Sequence, residues 1–391
     1  MDFSLTEEQE TVRDLAAQIF AGQATVERVK AIEASDDRID RTLWAELAKA
    51  NLLGIALPED VGGSGLGLIE LCVLLEQQGR RVAAVPLLPT LVMGALPVAE
   101  FGTSAQRAEW LPGVVSGDVI LTAALEGPAA VVTADGRLEG RMLSVPAAHV
   151  AARVLVPSSS GLFLVDPRGP GVTMERAETT NRQIVCHLTL DGAPGEPLGN
   201  EATLEWMRQR VLVGIAALQV GVAEEALRQA AEYTSGRQQF GRPLSTFQGA
   251  ALKAADAYID TEAMRVTMWQ AAWRLSEGYD ATAEVEVAKW WASDAGQRVV
   301  HATQHLHGGL GADIEYPVHR YFLWGKQLED TLGGATSHLA RLGRVQRHHH
   351  ESRHSSRCPE LSRRHDDDDR ICDGQARRRN RGRPSGRQQP G

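Results

Sequence analysis

"LEWMRQRVLVGIAALQVGVAEEALRQAAEYTSG", residues 204–236, carries the strongest structural signal in the chain. Leu204, Met207, Val211, Ile215, Leu218 and Val222 recur at three- and four-residue steps, the spacing of one face of an α-helix. Gly236 stands where such a helix stops. Two further stripes follow. Leu252, Ile259, Val266 and Trp273 recur every seven residues, and Ala288, Trp291, Ala295, Val299, Ala302 and Leu306 make a third. Long helices with one apolar face each must bury those faces on one another, so residues 201–345 are expected to form an antiparallel helical bundle of four helices.

Upstream the texture changes. Between 118 and 200, the runs "VILTAAL", "HVAARVLVP", "GLFLVD" and "IVCHLTLDG" are separated by Gly, Pro, Asp and Ser at strand-like intervals, which predicts a small β domain. Residues 1–117 read as helical again. Thr6 with Gln9 fits a capping box, and "RTLWAELAKANLLGIALPEDVGGSGLGLIELCVLLEQQG" gives two helices around a glycine-rich turn. The expected class is α+β, in the order α, β, α. Residues 346–391 differ from the rest: almost no large apolar residues, no periodicity, and 12 Arg against 7 Asp plus Glu. Such a segment cannot build a core, and it reads as disordered or as an out-of-frame tail. Its histidines and its cysteines Cys358 and Cys372 match no zinc spacing, so no metal is expected.

Composition narrows the function. With 43% hydrophobic residues in 391, the chain can bury cores for two or three domains. A formal net charge of -9 leaves no basic excess for phosphates, which argues against nucleic acid. No apolar run reaches the 18 residues of a membrane span, and the opening "MDFSLTEEQE" is acidic where a secretory signal is basic. Four scattered cysteines suggest a reducing, cytoplasmic setting.

Two segments could carry chemistry. In "SGRQQFGRPLSTFQ", residues 235–248, Arg237 follows a helix end, Phe240 could shield it from water, and Ser245 with Gln248 fits a capping box. A guanidinium held this way suits a diphosphate; the plain alternative is a helix connection with a solvated arginine. In "HLHGGLGADIEYPVHR", residues 305–320, Gly308 and Gly309 fit either a helix C-cap or a backbone that a ligand approaches closely. "GGSGLG" at 62–67 follows Pro58-Glu59 rather than a strand and is no dinucleotide fingerprint.

Together with "LPEDVGGSGLG" and the α, β, α order, these segments resemble the acyl-CoA dehydrogenase family over residues 1–345. The stretch "YPVHRYFLWGKQLEDTLGGATSHLARLGR" is most similar to the diverged β-type subunit of α2β2 steroid side-chain enzymes. The resemblance implies a homologous α-type partner subunit, an acyl-CoA substrate, an electron-transfer flavoprotein and FAD shared between subunits. The residues that hold the FAD diphosphate and adenosine arm of a neighbour carry over to Arg237, Phe240, Gln248, Gly308 and Gly309, with His305 where the family usually has Gln. The ring-binding motifs of the middle domain do not carry over. Glu126 and Pro128 remain of one, and Met142-Leu143-Ser144 replaces a tryptophan motif in a shortened domain.

The family's base, a glutamate that takes the α-proton of an acyl thioester, aligns with Gly334. The alternative base position, at the start of the preceding long helix, is Val211. Both are empty of carboxylate, and Gly333-Gly334 breaks a helical stretch at roughly 1 kcal/mol per glycine. Glu205 lies roughly 9 Å along the helix from Val211, and Glu329 and Asp330 about 6–8 Å short of the glycine pair. The expectation is a subunit without its own base that contributes half of an FAD site. The alternatives are a flavin-free structural partner and a stand-alone dehydrogenase that uses Glu329 or Asp330.

Overall fold

Thr6 opens the first helix of the computed structural model, which describes residues 4–356. Its Oγ1 accepts the Gln9 amide at 3.2 Å while the Gln9 side chain accepts the Thr6 amide at 3.0 Å, so the expected capping box is present. Six helices make up the N-terminal part: α1 Glu7–Gln23, α2 Val26–Glu33, α3 Arg41–Lys49, α4 Leu68–Arg81, α5 Leu96–Phe101 and α6 Ser104–Ser116. A π-helical stretch, Leu88–Ala95, runs into α5. The glycine-rich turn before α4 is a packing device. A Cβ at Gly63 would stand 2.1 Å from the Leu57 carbonyl oxygen, and Glu70 accepts the Gly67 amide at the start of α4.

Eight strands follow: β1 Leu121–Ala123, β2 Val131–Val132, β3 Leu138–Pro146, β4 Arg153–Ser158, β5 Gly161–Val165, β6 Val172–Glu178, β7 Ile184–Ala193 and β8 Glu196–Leu198. They form two four-stranded sheets, ordered β1-β4-β5-β8 and β2-β3-β7-β6, in which only the β1 and β4 pair runs parallel. Leu138, Met142, Val156 and Leu188 are fully buried in the core of this part.

The C-terminal part opens with α7, Glu201–Gly236, whose N-cap Asn200 accepts the Ala202 amide at 2.9 Å. It ends at Gly236, as expected. A short hairpin, β9 Gln238–Gln239 and β10 Arg242–Pro243, leads to α8, Gln248–Ser276. Then come α9 Thr282–His307, α10 Val318–Asp330 and α11 Ala335–Ser356. Val211, Ile215 and Val222 of α7 and Ala288, Ala295 and Val299 of α9 are fully buried. Residues up to Ala340 form one unit.

Three expectations need correcting. The seven-residue stripe of α8 is not core: Leu252, Ile259 and Val266 are 57, 62 and 46% exposed. The face that packs on α7 and α9 is instead Ala257, Thr261, Met264, Met268 and Ala271, whose small residues let helices approach closely. Ser245 does not cap α8 either, because Pro243 leads into a 3-10 turn, Leu244–Thr246, and Phe247 takes the N-cap without a side-chain bond. Finally, α11 runs to Ser356, past the boundary expected at 345. Cys358, His365 and Cys372 lie outside the described residues.

Candidate functional site

The antiparallel order of the bundle brings the end of α7, the start of α8 and the end of α9 to one pole. There the β9–β10 hairpin turns on two residues, Phe240 and Gly241, both left-handed at φ 54° and 78°. This is the geometry of a tight two-residue hairpin loop. Glycine adopts it freely, but a phenylalanine there is strained by about 1–2 kcal/mol. The Phe240 side chain projects outward, 92% exposed. Its ring meets only the edge of Phe247, at 6.2 Å, and Arg242 lies 4.1 Å over the Phe247 ring.

Arg237 is fixed through its backbone, not its side chain. Its amide donates to Tyr233 O at 2.8 Å and its carbonyl accepts from Leu244 at 2.9 Å, while the exposed guanidinium has no carboxylate partner among the described residues. Gln248 is exposed on the first turn of α8. At the end of α9, Gly308 takes φ 61°, ψ -137°, a conformation that side chains resist. A Cβ at Gly308 or Gly309 would meet nothing within 4 Å, so the backbone there is bare. His305 is exposed beside it. His307 is buried and stacks on Tyr233 at 4.8 Å, which ties this glycine turn to the end of α7, and burial pulls its pKa down.

All six expected cofactor residues therefore lie at one pole and face outward. They do not share one cavity: the groove at His305 and Gly308 is lined by Lys253, Arg298 and His301, without Arg237, Phe240 or Gln248. A free guanidinium, a bare glycine turn and a presented ring suit the diphosphate and adenosine arm of FAD offered from outside this chain.

The aligned base positions belong to a second region. Val211 is fully buried and does not line the cavity described next. Gly334 follows α10 beside a cavity of about 350 Å³ walled by Met93, Leu125, Leu143, Ile184, Trp324 and Leu328. The spacing expected for Asp330 is overturned here. Leu332 and Gly333 take φ 59° and 106°, and the Gly333 amide returns to Asp330 O at 3.0 Å, so the chain doubles back. Asp330 Oδ1 consequently lies 3.3 Å from where a Gly334 Cβ would stand, and Asp330 lines the cavity. Neither Glu205 nor Glu329 does so. Glu205 is exposed and pairs with Arg208, and Glu329 pairs with Lys326.

Two residues that sequence reasoning did not assign pin this turn from opposite sides. Lys289 of α9 is fully buried, and its Nζ donates to Ser293 Oγ at 2.7 Å, to Glu329 O and Gly333 O at 3.0 Å, and to Leu328 O at 3.3 Å. Burial pulls its pKa down to about 8, against the upward pull of Asp330, Glu329 and Glu126. Across the cavity, Glu126 Oε1 accepts the Leu332 amide at 2.7 Å. One signal could have found Lys289: it falls on the buried helical face of Val285, Ala292 and Gly296, where a charge needs partners. Beneath the turn, His338 Nδ1 meets Glu286 at 2.5 Å, and Glu286 also accepts from Arg208 at 2.9 Å.

The polar lining of the cavity mixes donors and acceptors: Ser144, Gln183, Gln327 and Trp324 stand beside Glu126 and Asp330. Gln78 donates its amide to Ala83 O and Val85 O at 3.0 and 2.7 Å, which fixes Oε1 as the unbonded end. His149 Nε2 donates to Asp37 O at 3.0 Å, so the unbonded Nδ1 carries the lone pair.

Among the described residues no helix is long and apolar enough to cross a membrane, and no group of three or more His, Cys, Asp or Glu could hold a metal ion. Residues 6–118 match the family model for the acyl-CoA dehydrogenase N-terminal domain, and residues 201–344 that for its C-terminal domain. The chain is 39% identical over 366 residues to acyl-CoA dehydrogenase FadE27 of Mycobacterium tuberculosis, covering 88% of this chain and 98% of that one. A solved structure of a variant of the Tcur3481-Tcur3483 steroid ACAD superposes with a TM-score of 0.85 at 50% identity, covering 88% of this chain and 99% of its own. The ChsE4-ChsE5 complex from Mycobacterium tuberculosis superposes with a TM-score of 0.85 at 39% identity, with 88% and 98% covered.

Proposed function

The chain belongs to the acyl-CoA dehydrogenase family, and on that premise we propose that it is the non-catalytic subunit of a heteromeric enzyme. It presents the diphosphate-binding arm of an FAD site to a homologous subunit that brings the ring pocket and the base. Members of the family are FAD-dependent oxidoreductases. FAD, when bound, supplies the acceptor for the β-hydride of the acyl thioester. The residues of this chain bind and orient: Arg237 neutralises diphosphate charge, Phe240 covers it from water, and the backbone at Gly308 and Gly309 lets the ligand approach closely. The partner's carboxylate takes the α-proton, and electrons leave to an electron-transfer flavoprotein. The substrate class, a steroid-linked acyl-CoA, follows the description of one similar structure as a steroid enzyme.

One observation carries this reading. The strained Phe240 and the unpaired Arg237 are both presented outward, where nothing in this chain uses them. The exposed stripe Leu252, Ile259 and Val266 of α8 supports it, since it offers an apolar face for a second subunit. The test is co-expression. The chain purified alone is expected to be colourless and inactive, and its complex with the homologous subunit yellow and active. Arg237→Ala in the complex should weaken FAD retention by about 2–3 kcal/mol through a lost charge-assisted bond. Unchanged flavin content, or robust turnover by the lone chain, rejects the proposal.

The position of Asp330 favours one competing reading, in which this chain is a dehydrogenase in its own right. That reading requires Asp330→Asn to abolish activity in the lone chain. The flavin-free structural reading requires Arg237→Ala to leave flavin content untouched.

A further inference from the structure

A separate cleft of about 520 Å³ lies where the end of α1, the start of α2, the end of α4 and the start of α10 meet α7. Most of its polar groups answer one another. Arg228 engages both oxygens of Glu225 at 2.7 Å and also pairs with Glu232, and Arg320 pairs with Glu33 at 2.9 Å. The Tyr321 hydroxyl donates to Arg80 O at 2.9 Å. Three groups of the lining are left over. The Arg81 guanidinium and the hydroxyls of Tyr233 and Tyr316 have no hydrogen-bond partner among the described residues, and all three side chains are half-buried rather than sealed. The chain beside Arg81 is strained. Val82 closes α4 and lines the cleft in the left-handed region at φ 43°, which a β-branched residue rarely adopts. Such strain concentrates at binding sites.

We propose that this cleft binds a small oxyanion, a carboxylate or a phosphate, between Arg81 and the hydroxyls of Tyr233 and Tyr316, and that the bound anion steadies the neighbouring cofactor pole. The planar fork of an arginine matches either anion, and a phenolic O–H donates to the same oxygens. Burial, Tyr233 and Glu232 push the Tyr316 pKa up, so its hydroxyl keeps the proton it donates. Glu225 and Glu232 are already answered by Arg228, which leaves the exposed Glu27 as the one acid of the lining without a basic partner among the described residues. The link to the pole is direct. Tyr233 O holds the Arg237 amide at 2.8 Å, and His307, which precedes Gly308, packs between Tyr233 at 4.8 Å and Tyr316 at 5.4 Å. An anion held by both tyrosines orders the two segments that carry Arg237 and the glycine turn, so anion and flavin each favour the other's binding. This linkage rests on the reading above that the pole holds FAD; the anion site does not.

The experiment is calorimetric titration of the full chain with inorganic phosphate and, separately, with succinate; the tighter of the two identifies the ligand as phosphate or carboxylate. At least one is expected to bind. Arg81→Gln should weaken it tenfold or more and Tyr316→Phe severalfold. Arg237→Ala should leave the affinity within about twofold, because Arg237 does not line the cleft. In the complex with the homologous subunit, the anion should slow flavin loss severalfold, and Arg81→Gln should abolish that effect. Binding of neither anion overturns the site, as does binding that survives Arg81→Gln. Binding that Arg237→Ala weakens as much as Arg81→Gln also overturns it, by placing the anion at the pole. An anion that binds in the cleft without slowing flavin loss overturns the linkage. A colourless complex would instead strike the flavin assignment, while the titration of the chain still decides the anion site.

Discussion

Replacing Lys289 with methionine tests whether the turn after α10 depends on a buried cation. The ammonium sits at 0% exposure, and its three N–H groups are shared among three main-chain carbonyls and one hydroxyl within 3.3 Å. Methionine matches its length but donates nothing, so Leu328 O and Gly333 O lose this donor, while Glu329 O keeps the Ser293 hydroxyl at 2.9 Å. Some of these carbonyls will recruit water, and the net loss at neutral pH should be about 1–3 kcal/mol. The pH dependence is more diagnostic. A lysine whose pKa is held at about 8, against an ordinary 10.5, is deprotonated earlier in the folded chain than in the unfolded one. Between those values the unfolded state binds the extra proton, so stability rises with pH, is complete above 10.5 and is lost as pH falls through 8. The full excursion is about 3 kcal/mol. Urea titrations of both proteins at half-unit steps from about pH 7 to 10 should show the stability gap widening with pH, since the methionine variant has no such group. A gap that stays constant within about 0.5 kcal/mol would refute the argument.

Three further outcomes are expected. Burial pushes the Glu76 carboxyl up to about 7 inside a network with Arg265, Glu224 and Arg80, so the folded chain keeps this proton longer than the unfolded one. Its contribution is present below pH 4.5 and lost as pH rises through 7, and Glu76→Gln should flatten that decline in a stability profile by up to about 3 kcal/mol. Phe240→Gly should relieve left-handed strain and stabilise the lone chain by about 1 kcal/mol in urea, yet speed flavin loss from the complex measured by absorbance. Ile259→Glu, on the exposed face of α8, should change the stability of the chain by less than about 0.5 kcal/mol while blocking assembly in gel filtration.

The helices that bury one face were legible because periodicity reports burial: α7 runs to Gly236 as its stripe indicates. The same logic failed on α8, where a seven-residue apolar repeat lies in solvent, because periodicity marks a face and not what covers it. Strands β1, β4, β5 and β7 coincide with the apolar runs, whereas β3 is masked by Glu139 and Arg141, which alternate with its buried residues. At the site, Arg237, Phe240 and the glycine pair were readable as a motif. Asp330 was misplaced because counting along a helix axis ignores a turn built from Leu332 and Gly333. Lys289 was readable only as a charge on a buried face and Glu126 only as a motif remnant, because the backbone atoms that hold them lie 40 and 206 positions away.

The doubling back at Leu332 and Gly333 also acts as a ratchet. A glutamate placed at position 334 would start its side chain 3.3 Å from an existing carboxylate. Two acids that close resist simultaneous ionisation, so the newcomer would be held protonated or pushed aside. An ionised glutamate at that position therefore takes two coordinated changes, at 330 and at 334.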